Sequence, residues 1–394
     1  MMDTLQTGVV NIIKSALTGQ KYDLPEDFDI EAAIAVAKKH QISALFYYGA
    51  LACGLALEPD ATEDLFQLTC QLMVFSTNQM HEISRLFQSF DKNKVDYMPL
   101  KGTVLKKMYP KAEMRIMSDA DILIRTEQYE AIKAIMVELG YTEKYESDHE
   151  FVWKRGKVVI ELHKRLIPSY NKDYYAYYGD GWRLGKPISN DSTHYTMAGE
   201  DELIYIFTHF AKHYRDAGVG IKHILDIWVY KDNKKDLNEE YILSELKKLQ
   251  LDKFYKNVMD TLAVWFNNGT PTEQTELITR IIFDSGVYGT HEAHILSAAV
   301  KTTKTLGSAR KTKLKRLIDT IFLPYSSMVE KYEILNKAPI LLPFMWVVRW
   351  FEAIFIRKGS IKYNQQRLKI LSTEKINDYQ SALNFVGLDF NFKE

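Results

Sequence analysis

Two hydrophobic rhythms divide the chain. Over residues 1–90 apolar side chains return every three or four positions: Val9, Ile12, Ile13 and Leu17, then Ile30, Ala33, Ile34 and Ala37, then the run Ile42–Leu51. That spacing collects them on one side of an α-helix. Pro59-Asp60 has the residue types of a helix start. A long helix is predicted from there to about Phe90, with Leu65, Leu68, Leu72, Phe75, Ile83 and Leu86 along one face. Side chains in such stripes are core, without chemistry of their own.

From residue 91 to 165 the period shortens towards two. Val95–Leu100, Asp121–Ile124, Tyr141–Tyr145, Phe151–Trp153 and Val158–Leu162 are predicted strands, with Arg155-Gly156-Lys157 turning between the last two. Helices are predicted at Thr103–Met108 and at Glu127–Leu139, the second stopped by Gly140. Residues 166–199, with Tyr170, Tyr174, Tyr175, Tyr177, Tyr178 and Trp182, read as an aromatic surface loop. Beyond Asp201 the pattern is helical again, at Leu203–Tyr214, Ile221–Tyr230, Glu240–Leu249, Phe254–Phe266, Glu273–Ile282, Ile340–Ile356 and Lys375–Phe385. The expected class is α+β: a small mixed sheet within 91–199, between helical regions at 1–90 and 200–394.

Composition narrows the partners. Lys+Arg and Asp+Glu both total 51. A protein that tracks many backbone phosphates carries a basic excess, so long nucleic acid is disfavoured while a small nucleotide is not. Cys53 and Cys70 sit in apolar helical runs without metal-ligand spacing, as buried thiols in a reducing compartment do. Met1–Leu17 has neither the basic start nor the continuous apolar stretch of a signal peptide, and a cytoplasmic location is expected. Ile340–Ile356 is the most apolar stretch. It is interrupted by Pro343, Arg349 and Glu352 and is shorter than the ~20 residues a spanning helix needs. A buried helix is expected there, with weak membrane-surface contact as the alternative. The basic cluster from Arg310 to Arg316 reads as a solvated helix face or as a patch for an anionic partner.

Chemistry concentrates between Leu100 and Asp121. Alternate strand residues point the same way, so Asp119 and Asp121 aim at one volume while Ala120 points into the opposite layer. Glu161 stands between Ile160 and Leu162 and follows the same logic. With its strand beside Asp121, three carboxylates would converge. Mg²⁺ prefers such hard oxygen ligands. Phosphoryl transfer needs positioning and charge neutralisation, which two ions about 3.5–4 Å apart can supply. Gly102 permits close backbone approach and an unusual φ, and with Thr103 it would open a helix whose amides face phosphate. Lys101 and Arg115 are the candidate counter-charges. His291-Glu-Ala-His294 lacks the zinc-protease spacing, and Gly218-x-Gly220 lacks the third glycine of a dinucleotide loop.

The ordered set Leu100-Lys101-Gly102, Tyr109-Pro110, Arg115, Asp119-Ala-Asp121 and Ile160-Glu161-Leu162-His163 resembles the DNA-polymerase-beta-like nucleotidyltransferase superfamily. Within it, the chain is most similar to the bacterial uncharacterised nucleotidyltransferase family. Weaker matches at His209…His213, Gly220-Ile-Lys222…Asp226, Gly286…Gly289 and Leu341–Arg357 extend the likeness over roughly residues 60–360. The resemblance implies a palm-like sheet, Mg²⁺ with Mn²⁺ as a substitute, and Asp119, Asp121 and Glu161 as catalytic metal ligands. Lys101, Gly102, Thr103, Arg115 and Lys222 would bind the nucleotide. The implied reaction moves a nucleoside monophosphate from a nucleoside triphosphate to a hydroxyl-bearing acceptor, either a small molecule or a protein. By the same resemblance the 209–226 segment packs beside the sheet, where Asp226 would orient Lys222 or His213. His163, two residues after Glu161, would support that carboxylate or simply be a satisfied sheet histidine. Two other readings stay open: a catalytically silent nucleotide-binding or interaction protein of the same fold, and a toxin-like enzyme that modifies protein or RNA.

Overall fold

The computed structural model describes residues 2–55, 58–306, 311, 314–315, 318, 321–332, 334–352 and 370–388. Helices α1 (Thr4–Thr18), α2 (Ile30–Lys39), α3 (Ser43–Cys53) and α4 (Pro59–Lys92) form where the helical periodicity places them. Local chemistry sets their ends. The Asp3 carboxylate accepts from the Gln6 amide at the start of α1, Asp29 does the same for Ala32 in α2, and Pro59 occupies the first turn of α4.

Five strands follow: β1 (Tyr97–Pro99), β2 (Ala120–Ile124), β3 (Thr142–Glu146), β4 (Glu150–Arg155) and β5 (Val158–His163). Their order in the sheet is β1-β2-β5-β4-β3. Only β2 and β5 run parallel. Their connection carries α6 (Tyr129–Glu138) and the β3–β4 hairpin. One sheet face is apolar. Ile122, Ile124, Phe151, Trp153, Ile160 and Leu162 pack in a single cluster with Ile83, Leu86 and Phe90 of α4 and Ile132, Ile135 and Met136 of α6. Between β1 and β2 lies the short helix α5 (Gly102–Leu105).

The expected aromatic loop at 166–199 is instead partly regular. It holds α7 (Lys172–Tyr178) and a two-stranded ladder of β6 (Gly185–Pro187) and β7 (Tyr195–Met197). Tyr174 and Tyr178, one helical turn apart, are both buried, and the Tyr178 hydroxyl meets Thr208 Oγ1 at 2.8 Å. Gly181 follows at φ +93°, and a Cβ there would lie 2.3 Å from Leu166. Glycine punctuation that reads as a loop thus serves a close chain crossing.

Helices α8 (Gly199–Asp216), α9 (Ile221–Asn233), α10 (Glu239–Lys248), α11 (Asp252–Phe266), α12 (Glu273–Ser285) and α13 (His291–Leu306) follow. The chain forms two compact units. One comprises Met1–Tyr214, Val219–Tyr288 and Val386–Glu394, the other Arg215–Gly218 and Gly289–Phe385. In the second unit α13 carries Glu292, which pairs with Lys375 of the helix Thr373–Phe385 at 2.6 Å. The apolar helix expected to be buried at 340–356 is observed as Leu342–Phe351 and has no buried residue. Trp346 and Trp350 donate their indole N–H groups to the carbonyls of Leu323 and Ile321. Ile340, Phe344, Val347 and Phe351, spaced by whole turns, are exposed on a single stripe. Residues 353–356 lie outside the described residues, as do Arg310, Lys313 and Arg316 of the basic cluster. Among the described residues no helix is long and apolar enough to cross a membrane.

Candidate active site

The pairing of β2 with β5 sets the chemistry. Asp121 stands directly beside Glu161, and Leu123 beside His163. Successive strand side chains take opposite faces. Ile122, Ile160 and Leu162 enter the apolar core, so Asp121, Glu161 and His163 share the other face. Antiparallel β4 adds Glu150 opposite His163, on the same side.

This polar face floors a cavity of about 310 Å³. Lys101, Gly102, Arg115, Ser118 and Asp119 line one side, and His209, His213, Lys222, His223 and Asp226 from α8 and α9 line another. Seven of the eight residues expected to hold metal or nucleotide therefore border one space. Thr103 is the exception. It is buried, and its hydroxyl lies against the Asp121 carbonyl at 3.5 Å and Met117 Sδ at 3.9 Å.

Asp121 accepts from two side-chain donors. The Lys101 ammonium donates to Oδ1 at 2.9 Å, and His163 Nε2 donates to the same oxygen at 2.8 Å. Burial pushes the Asp121 carboxyl up, but these two donors outweigh it and hold it well below the usual carboxylate range. Burial likewise opposes the charge on Lys101, and the Asp121 carboxylate raises its pKa beyond the ordinary lysine value. For His163 burial lowers the pKa, while the hydrogen bond to Asp121 and the nearby Glu161 carboxylate bring it above normal. Lys101 sits at φ +45°, a region that costs a residue with a Cβ about 1–3 kcal/mol. The unusual φ expected of Gly102 is thus found one residue earlier. Gly102 serves the close approach: a Cβ there would lie 2.7 Å from Arg115 Nη1 and 2.8 Å from Met117 Sδ.

Asp119 precedes β2 and is half-buried. Burial first, then the negative charges of Asp121 and Glu161, push its carboxyl up to about 6. Lys222, buried across the cavity, is lowered to about 8 by burial and by the neighbouring Arg115. Arg115 is committed to Asp226, with Nε 3.1 Å from Oδ1 and Nη2 2.8 Å from Oδ2. The Tyr109 hydroxyl donates to Oδ1 of the same carboxylate at 2.9 Å. Asp226 therefore clamps Arg115 and Tyr109. The clamp fixes the cavity wall contributed by residues 109–115 to α9.

Asp121, Glu161 and His163 each offer one ligand atom within 4.8 Å of the others, and so do His149, Glu150 and His163. Asp119 lines the same cavity outside both sets. His149 and Glu150 were not singled out in the sequence. The available signal was parity: with Phe151 and Trp153 in the core, Glu150 falls on the face of Glu161.

An Asp-x-Asp segment entering a strand beside a parallel acid-bearing neighbour, with a glycine turn at its edge, is the arrangement of a nucleotidyltransferase core. The chain belongs to the uncharacterised nucleotidyltransferase family, whose profile matches residues 26–267. A search of curated proteins finds no match. Among solved structures, the solution structure of the antibiotic-resistance factor ANT(2'')-Ia is similar at 15% identity with a TM-score of 0.33, over 43% of this chain and 90% of that one. The crystal structure of ANT(2'')-Ia in complex with adenylyl-2''-tobramycin is similar at 14% identity and 0.32, over 44% and 97%.

Two measurements check these electrostatics. Asp226→Ala strands the buried Arg115 charge and should cost about 3–5 kcal/mol in chemical denaturation, whereas Arg115→Met with Asp226→Leu should recover most of the loss. The Asp119 carboxyl is raised on folding, so its ionisation costs stability, and the cost grows as pH rises from the ordinary carboxylate pKa through about 6. Asp119→Asn should therefore raise the melting temperature of metal-free protein at pH 7.5 and leave it nearly unchanged at pH 4.

Proposed function

We propose that the protein transfers a nucleoside monophosphate from a nucleoside triphosphate to a hydroxyl-bearing acceptor, with Mg²⁺ held by Asp119, Asp121 and Glu161. The observation that carries this reading is the register pair Asp121–Glu161 on the floor of a cavity walled by Lys101, Arg115 and Lys222. The donor set suits the ion. All three ligands are hard carboxylate oxygens. Lys101 and His163 both use Oδ1 of Asp121 and neither uses Oδ2. Burial pushes the Asp119 carboxyl up most, and the negative charges of Asp121 and Glu161, which a divalent cation would compensate, add to it. Mn²⁺ would suit the same oxygens. When bound, the metal supplies neutralisation of the triphosphate and activation of the attacking hydroxyl.

The remaining work belongs to the chain. Lys101 keeps Asp121 ionised. His163 holds a proton at Nε2 against Asp121 at 2.8 Å, with Glu161 3.6 Å away, and so fixes the orientation of Asp121. Glu161 is the more exposed of the pair, at 20% against 8%, and serves the acceptor side. Lys222, facing Asp119, supplies positive charge to the phosphates. Arg115 adds to that potential while its clamp on Asp226 keeps the wall in place, and the Gly102 turn lets the backbone approach. The acceptor is a small molecule or a protein, and a triphosphate donor suits the cytoplasm.

The test uses the full chain with Mg²⁺, each of four labelled nucleoside triphosphates and panels of small-molecule and protein acceptors. Label transfer is expected for at least one pair, and Asp121→Asn should reduce it about a thousandfold or more. Absence of both Mg²⁺-dependent triphosphate binding and label transfer would overturn the reading.

A further inference from the structure

We propose a second cation site in this cavity, formed by His149, Glu150 and His163, that takes Zn²⁺. One ring nitrogen from each histidine and one Glu150 oxygen lie within 4.8 Å of one another. The strand register accounts for their meeting. Glu150 pairs directly with His163 across β4 and β5, and His149 is its chain neighbour, with Nε2 3.0 Å from Glu150 Oε2. The two imidazole rings are 5.8 Å apart, centre to centre.

A separate observation points to a ligand. His163 is 2% exposed and its Nε2 is engaged by Asp121, yet its Nδ1 is buried without a hydrogen-bond partner. A buried polar atom left unpaired is costly, and native structures rarely keep one without a use. With Nε2 facing Asp121, Nδ1 is the ring nitrogen left open to another ligand. A carboxylate behind one imidazole nitrogen and a metal on the other is how metal-binding histidines are oriented and made more basic. Two imidazoles and one carboxylate suit Zn²⁺ rather than Mg²⁺, and three protein ligands leave a position for water or substrate. Ser147 Oγ, 3.4 Å from His149 Nδ1, and the Tyr145 hydroxyl, 3.4 Å from Glu150 Oε1, steady the other two ligands. The site shares no ligand with the three carboxylates proposed for Mg²⁺. The Asp121–His163 hydrogen bond links the two, so a metal on His163 would fix the orientation of Asp121.

Zn²⁺ binding to the full chain, measured by calorimetry in saturating Mg²⁺, tests this independently of any transfer activity. One Zn²⁺ per chain is expected. His149→Ala and Glu150→Gln should each weaken it at least about tenfold, while Glu161→Gln leaves it essentially unchanged. Should the alanine variant fail to fold by circular dichroism, His149→Gln replaces it. X-ray absorption at the zinc edge of the wild-type protein provides the second readout, and imidazole scattering from two rings is expected. No Zn²⁺ uptake in Mg²⁺, unchanged affinity in the His149 variant, or an oxygen-only zinc environment would overturn the proposal.

Discussion

Two carboxylates that stand side by side on neighbouring parallel strands repel each other, and the architecture around this cavity answers that repulsion. Asp121 and Glu161 cannot be moved apart without shifting β2 against β5. A one-residue slip of β2 would turn Ile122 out of the core and Asp121 into it. The hydrophobic face therefore enforces the electrostatic problem on the polar face. Lys101 and His163 meet it from within the protein by donating to one oxygen of Asp121. The charge that remains, on Asp119, Glu161 and the second Asp121 oxygen, is what a divalent cation is proposed to compensate.

Holding Lys101 in place has a conformational cost. Its φ of +45° is tolerated because the neighbouring chain is tied down on several sides. The Leu100 amide donates to the Asp121 carbonyl at 3.0 Å, and Thr103 packs beneath it. Lys106, buried, donates to Ser76 and to the Arg115 carbonyl, and Gln79 donates to the Met117 carbonyl. Helix α4 thus anchors the segment that follows the glycine turn, and Asp226 on α9 anchors it from the other side through Arg115 and Tyr109. A rigid wall of this kind supports the precise placement that phosphoryl transfer demands.

Much of this was legible in the residues, because alternation is local information. The strands around Asp121 and Glu161, the facing of both acids away from Ile122 and Ile160, and the helix from Pro59 to the strand before Gly102 all follow from period and punctuation. Other features depend on contacts that no local pattern carries. Arg115 and Asp226 are 111 positions apart, and nothing in either segment names the other. Glu150 follows Ser147-Asp148-His149, a polar run that looks like a turn, and only its register against His163 brings it to the site. Tyrosines at 174 and 178 resemble a loop because Gly179 and Gly181 follow at once, yet their four-residue spacing buries both. The helix α13 was not singled out, since its buried residues Ile295, Leu296, Ala299 and Val300 lie among alanines, threonines and lysines. At Leu342–Phe351 the apolar character was plain, but hydropathy does not say whether the fold supplies a surface to cover it.

The most direct test is diffraction from crystals grown with Mn²⁺ and a non-hydrolysable nucleoside triphosphate, read by the anomalous signal of the metal. The account predicts a peak within coordinating distance of Asp121 and Glu161, bridged to the triphosphate, with Lys101 and His163 still on Asp121 Oδ1. A triphosphate bound elsewhere, or no metal beside the Asp121–Glu161 pair, would contradict it.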